Sequence, residues 1–187
     1  MDISAPRKLD GQKTVSVVIP CYNEAAALPL LYERVCAAAG AWPAGMEVVL
    51  VDDGSTDQTW EEMVGLHRKD PRWKLVRLAR NFGHQVALWT GLKHATGDVI
   101  AVLDADLQDP PEVLSDFFRQ WEQGFDVVYG VRSKRKEGRL KRAAYFCFYR
   151  LLAFLSEIPI PLDSGDFCVM DRRVVEEMTR TSEMEPF

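Results

Sequence analysis

Hydrophobic and polar positions along the chain switch repeatedly between two periods. Val15-Ser16-Val17-Val18-Ile19 is a short β-branched run stopped by Pro20, the pattern of a strand buried on both faces. Residues 24–39 follow, with Leu28, Leu31, Val35 and Ala38 on one helical face. Residues 46–51 repeat the strand pattern and Asp52-Asp53-Gly54 turns the chain. Ser55, with Gln58 three positions on, has capping-box spacing for a helix that turns Trp60, Met63 and Val64 inward. Residues 73–78 read as a third strand, 84–95 as a helix closed by Gly97, and 98–103 as a fourth strand. Asp109-Pro110-Pro111-Glu112 is a helix start, with a capping Asp, Pro in the first turn and Glu at the third position. Val113, Phe117, Phe118 and Trp121 then face a core, and 125–129 form a fifth strand.

Repeated strand–helix–strand units predict an α/β fold: a Rossmann-like, mostly parallel sheet with helices on both faces. Ligands of such sheets bind in the loops at the carboxyl ends of the strands. Four loops therefore matter: those after Ile19, Val51, Leu78 and Leu103.

The fourth loop reads Asp104-Ala105-Asp106-Leu107-Gln108-Asp109. In an extended segment Asp104 and Asp106 point the same way, with Gln108 in phase. Hard oxygens of this kind suit Mg²⁺ or Mn²⁺, with substrate phosphates completing the shell. An ordinary acidic loop with Asp109 as a helix cap is the plainer alternative. An EF-hand is excluded, because the sixth position is Asp109 and the twelfth is Ser115. The second loop adds Asp52 and Asp53. Turn and cap chemistry explains Gly54 and Ser55, but two carboxylates beside those of another loop repel, which favours a ligand role for Asp53. In the first loop Tyr22 can stack on a base and Glu24 can accept from it; the alternative is a helix start capped by Asn23. The third loop, Arg80-Asn81-Phe82-Gly83-His84-Gln85, offers donors near a helix start, which favours anions. His84 alone reads as a surface histidine. Neither Gly-x-Gly-x-x-Gly nor a P-loop pattern occurs.

At 187 residues and 47% hydrophobic, the chain can bury one sizeable core. Four scattered cysteines make neither a zinc site nor a stapled scaffold, so reduced thiols are expected. The net charge of −5 excludes nucleic acid as the main partner, yet it is unevenly spread. Seven basic residues and one acid lie between Arg132 and Arg142, so that strip carries +6 and the rest −11. The strip leads into Leu140, Ala144, Phe148, Leu151 and Leu155 at helical spacing, an amphipathic helix with basic flanks suited to a membrane surface. A core helix behind a solvated basic loop is the alternative. The apolar run 145–155 contains Arg150 and is too short to span a bilayer, and residues 1–13 have no signal-peptide pattern.

With these loops the chain resembles family 2 glycosyltransferases of the GT-A fold. The matching stretches run from Val15 through Pro20-Cys21-Tyr22-Asn23-Glu24, from Val48 through Asp52-Asp53-Gly54-Ser55-Thr56-Asp57, and from Gly97-Asp98 to Asp104-Ala105-Asp106. Asn81-Phe82-Gly83, the continuation to Gln108-Asp109-Pro110-Pro111-Glu112, and Ser164-Gly165-Asp166-Phe167 are similar to one branch, that of dolichol-phosphate mannose synthases and bacterial polyprenyl-phosphate glycosyltransferases. The resemblance covers roughly residues 14–180. It implies inverting transfer of a sugar from a UDP- or GDP-linked donor to a polyprenyl phosphate. It implies Pro20, Tyr22, Glu24, Val51 and Asp53 around the nucleotide sugar, with Gln85 and Ala105. It also implies Asp104, Asp106 and Gln108 at an Mg²⁺ or Mn²⁺ and the diphosphate, with Asp106 as the main catalytic carboxylate. Arg132 resembles a phosphate-binding arginine and Asp166 a candidate base. Cys168 stands where an arginine is common in the family, which leaves Arg172 or Arg173 to supply that contact.

The expected organisation is a polar tail over 1–13 and a GT-A catalytic domain over 14–187, with the basic loop and amphipathic helix at 132–156. A membrane region after the domain is common in the branch and is expected to be missing from this chain. The expected location is the cytoplasmic face of the plasma membrane, and self-association stays open. Two rivals remain: a soluble family 2 enzyme acting on a saccharide or protein, and a non-catalytic subunit that binds a nucleotide sugar.

Overall fold

The computed structural model describes residues 6–131 and 164–180. Alternating units run β1 (Thr14–Cys21), α1 (Leu28–Ala39), β2 (Gly45–Asp52), α2 (Thr59–Lys69), β3 (Trp73–Arg77), α3 (His84–His94) and β4 (Val99–Val102). A 3-10 turn at Pro111–Val113 leads into α4 (Leu114–Glu122), followed by β5 (Val127–Val131), β6 (Ser164–Asp171) and α5 (Arg172–Arg180). These strands form one sheet in the order β3-β2-β1-β4-β6-β5. β1 pairs in parallel with β2 and β4, and β2 with β3, whereas β6 runs antiparallel to β4 and β5. The sheet is mostly parallel, as expected, but β6 was not anticipated by the pattern.

Successive side chains of the central strands go to opposite faces. Val15, Val17 and Ile19 of β1 join Val48 and Leu50 of β2 in a core with Leu28, Leu31 and Val35 of α1, Met63 of α2, and Leu114, Phe118 and Trp121 of α4. Val18, Val49, Val51, Ile100 and Val102 form a second core with Ala87 and Leu92 of α3 and Val175 of α5. Both faces are covered, so β1 and β2 are buried at almost every position and read as continuous apolar runs.

At the edge where the strands begin sits a buried carboxylate, Glu47. Ser16 Oγ and the Thr96 N–H donate to its Oε1, each at 2.5 Å. Lys74 Nζ (2.5 Å) and Thr96 Oγ1 (2.8 Å) donate to its Oε2. Burial alone would raise its pKa, but the bonds from Lys74, Ser16 and Thr96 outweigh burial and lower it to about 2.

Several local expectations change. α1 begins at Leu28 with Pro29 in its first turn, and Asn23 adopts φ 56° instead of capping it. Ser55 is not a capping box, because α2 begins at Thr59, whose N–H donates to Asp57 Oδ1. After Asp109 the chain makes the 3-10 turn, and Glu112 accepts from the Arg34 guanidinium of α1 at 2.7 and 3.1 Å. The end of the presumed tail packs on the domain: Leu9 is buried, and the Arg7 N–H donates to the Glu122 carbonyl at 2.8 Å. Among the described residues no helix is long and apolar enough to cross a membrane. The basic strip and the expected amphipathic helix, 132–156, lie outside the described residues.

Candidate active site

From β1 the chain moves to β2 and β3 on one side, then returns to β4 on the other. The loops after β1 and β4 therefore part at the carboxyl edge and leave a crevice, where ligands of open α/β sheets bind. A cavity of about 310 Å³ lies there. Pro20, Cys21, Tyr22 and Glu24 line it from the first loop, Asp53 from the second, and Asn81, Gly83, His84 and Ala87 from the third loop and α3. Asp104, Ala105 and Asp106 line it from the fourth.

The first two loops are stitched together. Asn23 Oδ1 accepts from the Thr56 N–H at 2.8 Å, and the Asn23 N–H donates to Ser55 Oγ at 3.0 Å. The Glu24 N–H donates to Thr59 Oγ1 at 2.8 Å. Gly54 has φ 66°, and a Cβ there would lie 2.4 Å from the Arg80 carbonyl carbon, so only glycine lets the second loop pass the third. Tyr22 is thereby held at the rim with its ring exposed.

Asp53 is buried and fixes the third loop. Its Oδ1 accepts from the Phe82 N–H at 2.8 Å and its Oδ2 from the Gly83 N–H at 2.9 Å. Below it, the fully buried Asp52 accepts from the Ser55 N–H and lies 3.2 Å from Arg77 Nε. The crowding expected to call for an external cation or ligand is thus answered by amides and an arginine. Each Asp53 oxygen accepts one of these bonds and has capacity for a second.

The fourth loop is a turn rather than an extended segment. Leu107 adopts φ 59°, and the Gln108 N–H donates to Asp106 Oδ1 at 3.0 Å. The alternation that would put Gln108 in phase fails: Asp104 and Asp106 line the cavity, while Gln108 is exposed and outside the lining. Gln85 is likewise exposed outside it, and Val51 is buried in the core beneath. Burial pushes Asp104 above the usual carboxylate range against the pull of His84, and Asp106, Asp166 and Asp109 add repulsion. Burial also raises Glu24, with Asp106, Asp57 and Asp104 adding to it. Among the described residues no three His, Cys, Asp or Glu groups form a metal cage by themselves. Two hard carboxylates on one turn, in a field of like charge, fit a divalent cation that takes other ligands from its substrate.

His84, read from sequence as a surface residue, stands at the centre of this edge. Its Nε2 is 2.9 Å from Asp166 Oδ2 and 3.9 Å from Asp104 Oδ1. The Asp166 bond raises the His84 pKa, and the same bond lowers that of Asp166. The signal for His84 was present: it follows Gly83 in a loop at the functional edge. Asp166, on β6, sits beside the cavity and not among its lining residues. The Cys168 thiol is pushed up to about 12 by burial. Neither arginine offered in its place reaches this edge. Arg172 donates to the Gly97 and Ala95 carbonyls, and Arg173 pairs with Asp171 and Asp126, all where β4 begins. Arg132 lies outside the described residues.

The profile of the family described as "Glycosyl transferase family 2" matches residues 16–179. The chain is 43% identical over 173 residues to "Uncharacterized glycosyltransferase YkcC" of Bacillus subtilis, covering 92% of this chain and 54% of that protein. It is 38% identical over 174 residues to the "Bactoprenol glucosyl transferase" of Shigella phage SfX, covering 92% and 57%. The chain thus spans about half the length of the curated relatives it matches. A mannosyltransferase from Pyrobaculum calidifontis, solved with GDP-mannose and Mn²⁺, shares the fold with a TM-score of 0.61 at 24% identity, over 92% of this chain and 50% of that one.

Proposed function

The chain belongs to glycosyl transferase family 2, in its polyprenyl-phosphate branch, and from that premise we propose that it moves a sugar from a nucleotide sugar to a polyprenyl phosphate with inversion at the anomeric carbon. The observation that carries this reading is the gathering of Glu24, Asp53, Asp104 and Asp106, with the Tyr22 ring, around one cavity at the switch point of the sheet. Relatives named for bactoprenol support the lipid acceptor.

In this reading Tyr22 stacks on the base, Asp53 and Glu24 accept from it, and Pro20, Ala105 and Val51 shape or underlie its seat. Asp104 and Asp106 would hold Mg²⁺ or Mn²⁺, an ion that supplies positive charge to the departing nucleoside diphosphate. Gln108, Gln85 and Arg132 are proposed as further diphosphate or phosphate contacts. The acceptor attacks from the face opposite the leaving group, so one displacement inverts the centre. A phosphate monoester with a second pKa near 6 is already ionised at neutral pH. Asp166 therefore has less to do as a base than in orienting the acceptor. Residues 132–156 are proposed to meet the cytoplasmic membrane surface, where anionic headgroups attract a +6 strip.

The test is a screen of UDP- and GDP-sugars with Mn²⁺ or Mg²⁺, scoring transfer to a short polyprenyl phosphate and to free saccharides. Divalent-dependent product on the lipid phosphate is expected. Product on saccharides alone would overturn the acceptor assignment.

A further inference from the structure

At the carboxyl edge a path of hydrogen bonds and backbone joins Asp53, in the cavity wall, to Asp166 beside it. Asp53 grips the Phe82 and Gly83 N–H groups, which fixes the backbone from which His84 springs. His84 is the first residue of α3, so its ring leaves a helix start that cannot shift without breaking those bonds. The ring then reaches across to β6, where Nε2 meets Asp166 Oδ2 at 2.9 Å. Its other neighbour is Asp104, 3.9 Å away. His84 and Asp166 are each about two-fifths exposed (43% and 41%), and an isolated exposed pair of that kind contributes little to stability. Its use must be sought elsewhere. Asp166 has no place in the cavity wall, whereas His84 does. The carboxylate is therefore tied to the cavity through the imidazole.

We infer that His84 is a positioning residue: it holds the Asp166 carboxylate in register with Asp104, and links that placement to the loop fixed by Asp53. This rests on the reading of Asp166 as the group facing the acceptor. The imidazole suits the task for a geometric reason. A rigid ring carries its donor to a fixed distance from the backbone, and its Nε2 position is matched by the side-chain amide nitrogen of glutamine but not by alanine. Asp53 holds the third loop through the Phe82 and Gly83 amides. Asp166 then inherits that order through His84, and positioning of this kind acts on turnover more than on donor binding.

The experiment compares His84→Ala, His84→Gln, Asp166→Ala and the double variant His84→Ala/Asp166→Ala in the chain. In steady-state transfer to a short polyprenyl phosphate, His84→Ala should lower kcat about 10-fold with the donor KM unchanged. His84→Gln should recover part of that loss. The double variant should be no slower than Asp166→Ala, since one residue acts through the other. Wild-type kcat in His84→Ala, or losses that multiply in the double variant, would overturn the inference. A second readout needs no turnover: the side-chain carboxyl ¹³C resonance of Asp166 should move in His84→Ala and return towards its wild-type position in His84→Gln. An unmoved resonance overturns the inference as well. A moved resonance in a chain that turns over no lipid phosphate upholds the His84–Asp166 tie and removes only the acceptor reading.

Discussion

Two sets of carboxylates, one at each end of the sheet, are treated in opposite ways. Where the strands begin, Glu47 receives four hydrogen bonds from Ser16, Lys74 and Thr96, and its pKa falls to about 2. Where they end, Glu24 and Asp104 are raised by burial and by neighbouring carboxylates, with His84 drawing Asp104 down. The first arrangement is closed: the protein supplies every donor its acid needs. The second is open: among the described residues its negative charge is not balanced, as befits a site that takes a cation or a ligand. A stability centre and a binding centre thus differ in whether the chain itself completes the charge balance.

Removing the closed carboxylate should have the largest effect. Glu47→Ala strands Lys74, the Ser16 hydroxyl and the Thr96 N–H around a vacant position, at a cost of about 3 kcal/mol. For a chain of this size that is a fall of about 10 °C in Tm. Nucleotide affinity measured below the transition should not change. A Tm within about 2 °C of wild type would show that the donors around Glu47 find other partners.

The same group contributes to the molecule's acid sensitivity. Its folded pKa lies below the unfolded value of 4.5, so its contribution is complete above pH 4.5 and lost as pH falls towards 2. A depression of that size corresponds to about 3 kcal/mol. Urea midpoints taken from pH 6 to pH 2.5 should fall more steeply for wild type than for Glu47→Gln. Parallel curves would remove Glu47 from the acid response.

Much of this contrast could be read along the chain, and the exceptions have common causes. The buried strands announced themselves because both faces are covered, and the carboxyl edge, where the cavity lies, followed from the alternation of strands and helices. Asp104 and Asp106, which line the cavity, stood out because they end an apolar run. Most of the misses are contacts between segments far apart in sequence. Asn23 looked like a helix cap but bonds to Thr56, thirty-three residues away. Asp53 looked under-compensated because its donors, the Phe82 and Gly83 amides, belong to another loop. β6 carries Gly165, Asp166 and Asp171 within eight residues and becomes a strand by pairing with β4 and β5. Gln108 fell out of phase because Leu107 takes a left-handed turn, which no spacing rule reports.

At the open end the effect should appear in binding and not in folding. Asp106→Ala should weaken nucleoside diphosphate binding about 100-fold in the presence of Mn²⁺, with Tm within about 1 °C of wild type. Titration calorimetry with and without chelator measures the first and a thermal melt the second. Equal affinity for the two proteins, or equal affinity with chelator, would take the cation away from this turn.

The smallest effect has the most informative sign. Burial and the charges of Asp106, Asp166 and Asp109 disfavour the ionised form of Asp104, and its described polar neighbour is His84 at 3.9 Å. Neutralising it relieves repulsion and strands no close donor. Asp104→Asn should therefore stabilise the ligand-free chain, by about 0.5 kcal/mol once solvent screening of a partly exposed group is allowed for. That is a rise of about 1–2 °C in Tm, opposite in sign to Glu47→Ala. Adding Mn²⁺ with a nucleoside diphosphate should reverse the order, because wild type gains stability in proportion to its tighter binding and the variant does not. Thermal melts of both proteins, with and without the pair of ligands, make the comparison in one plate. If Asp104→Asn is less stable than wild type in both conditions, the carboxyl edge is a closed structural centre like the one at Glu47, and the cavity has no unmet charge to offer a cation.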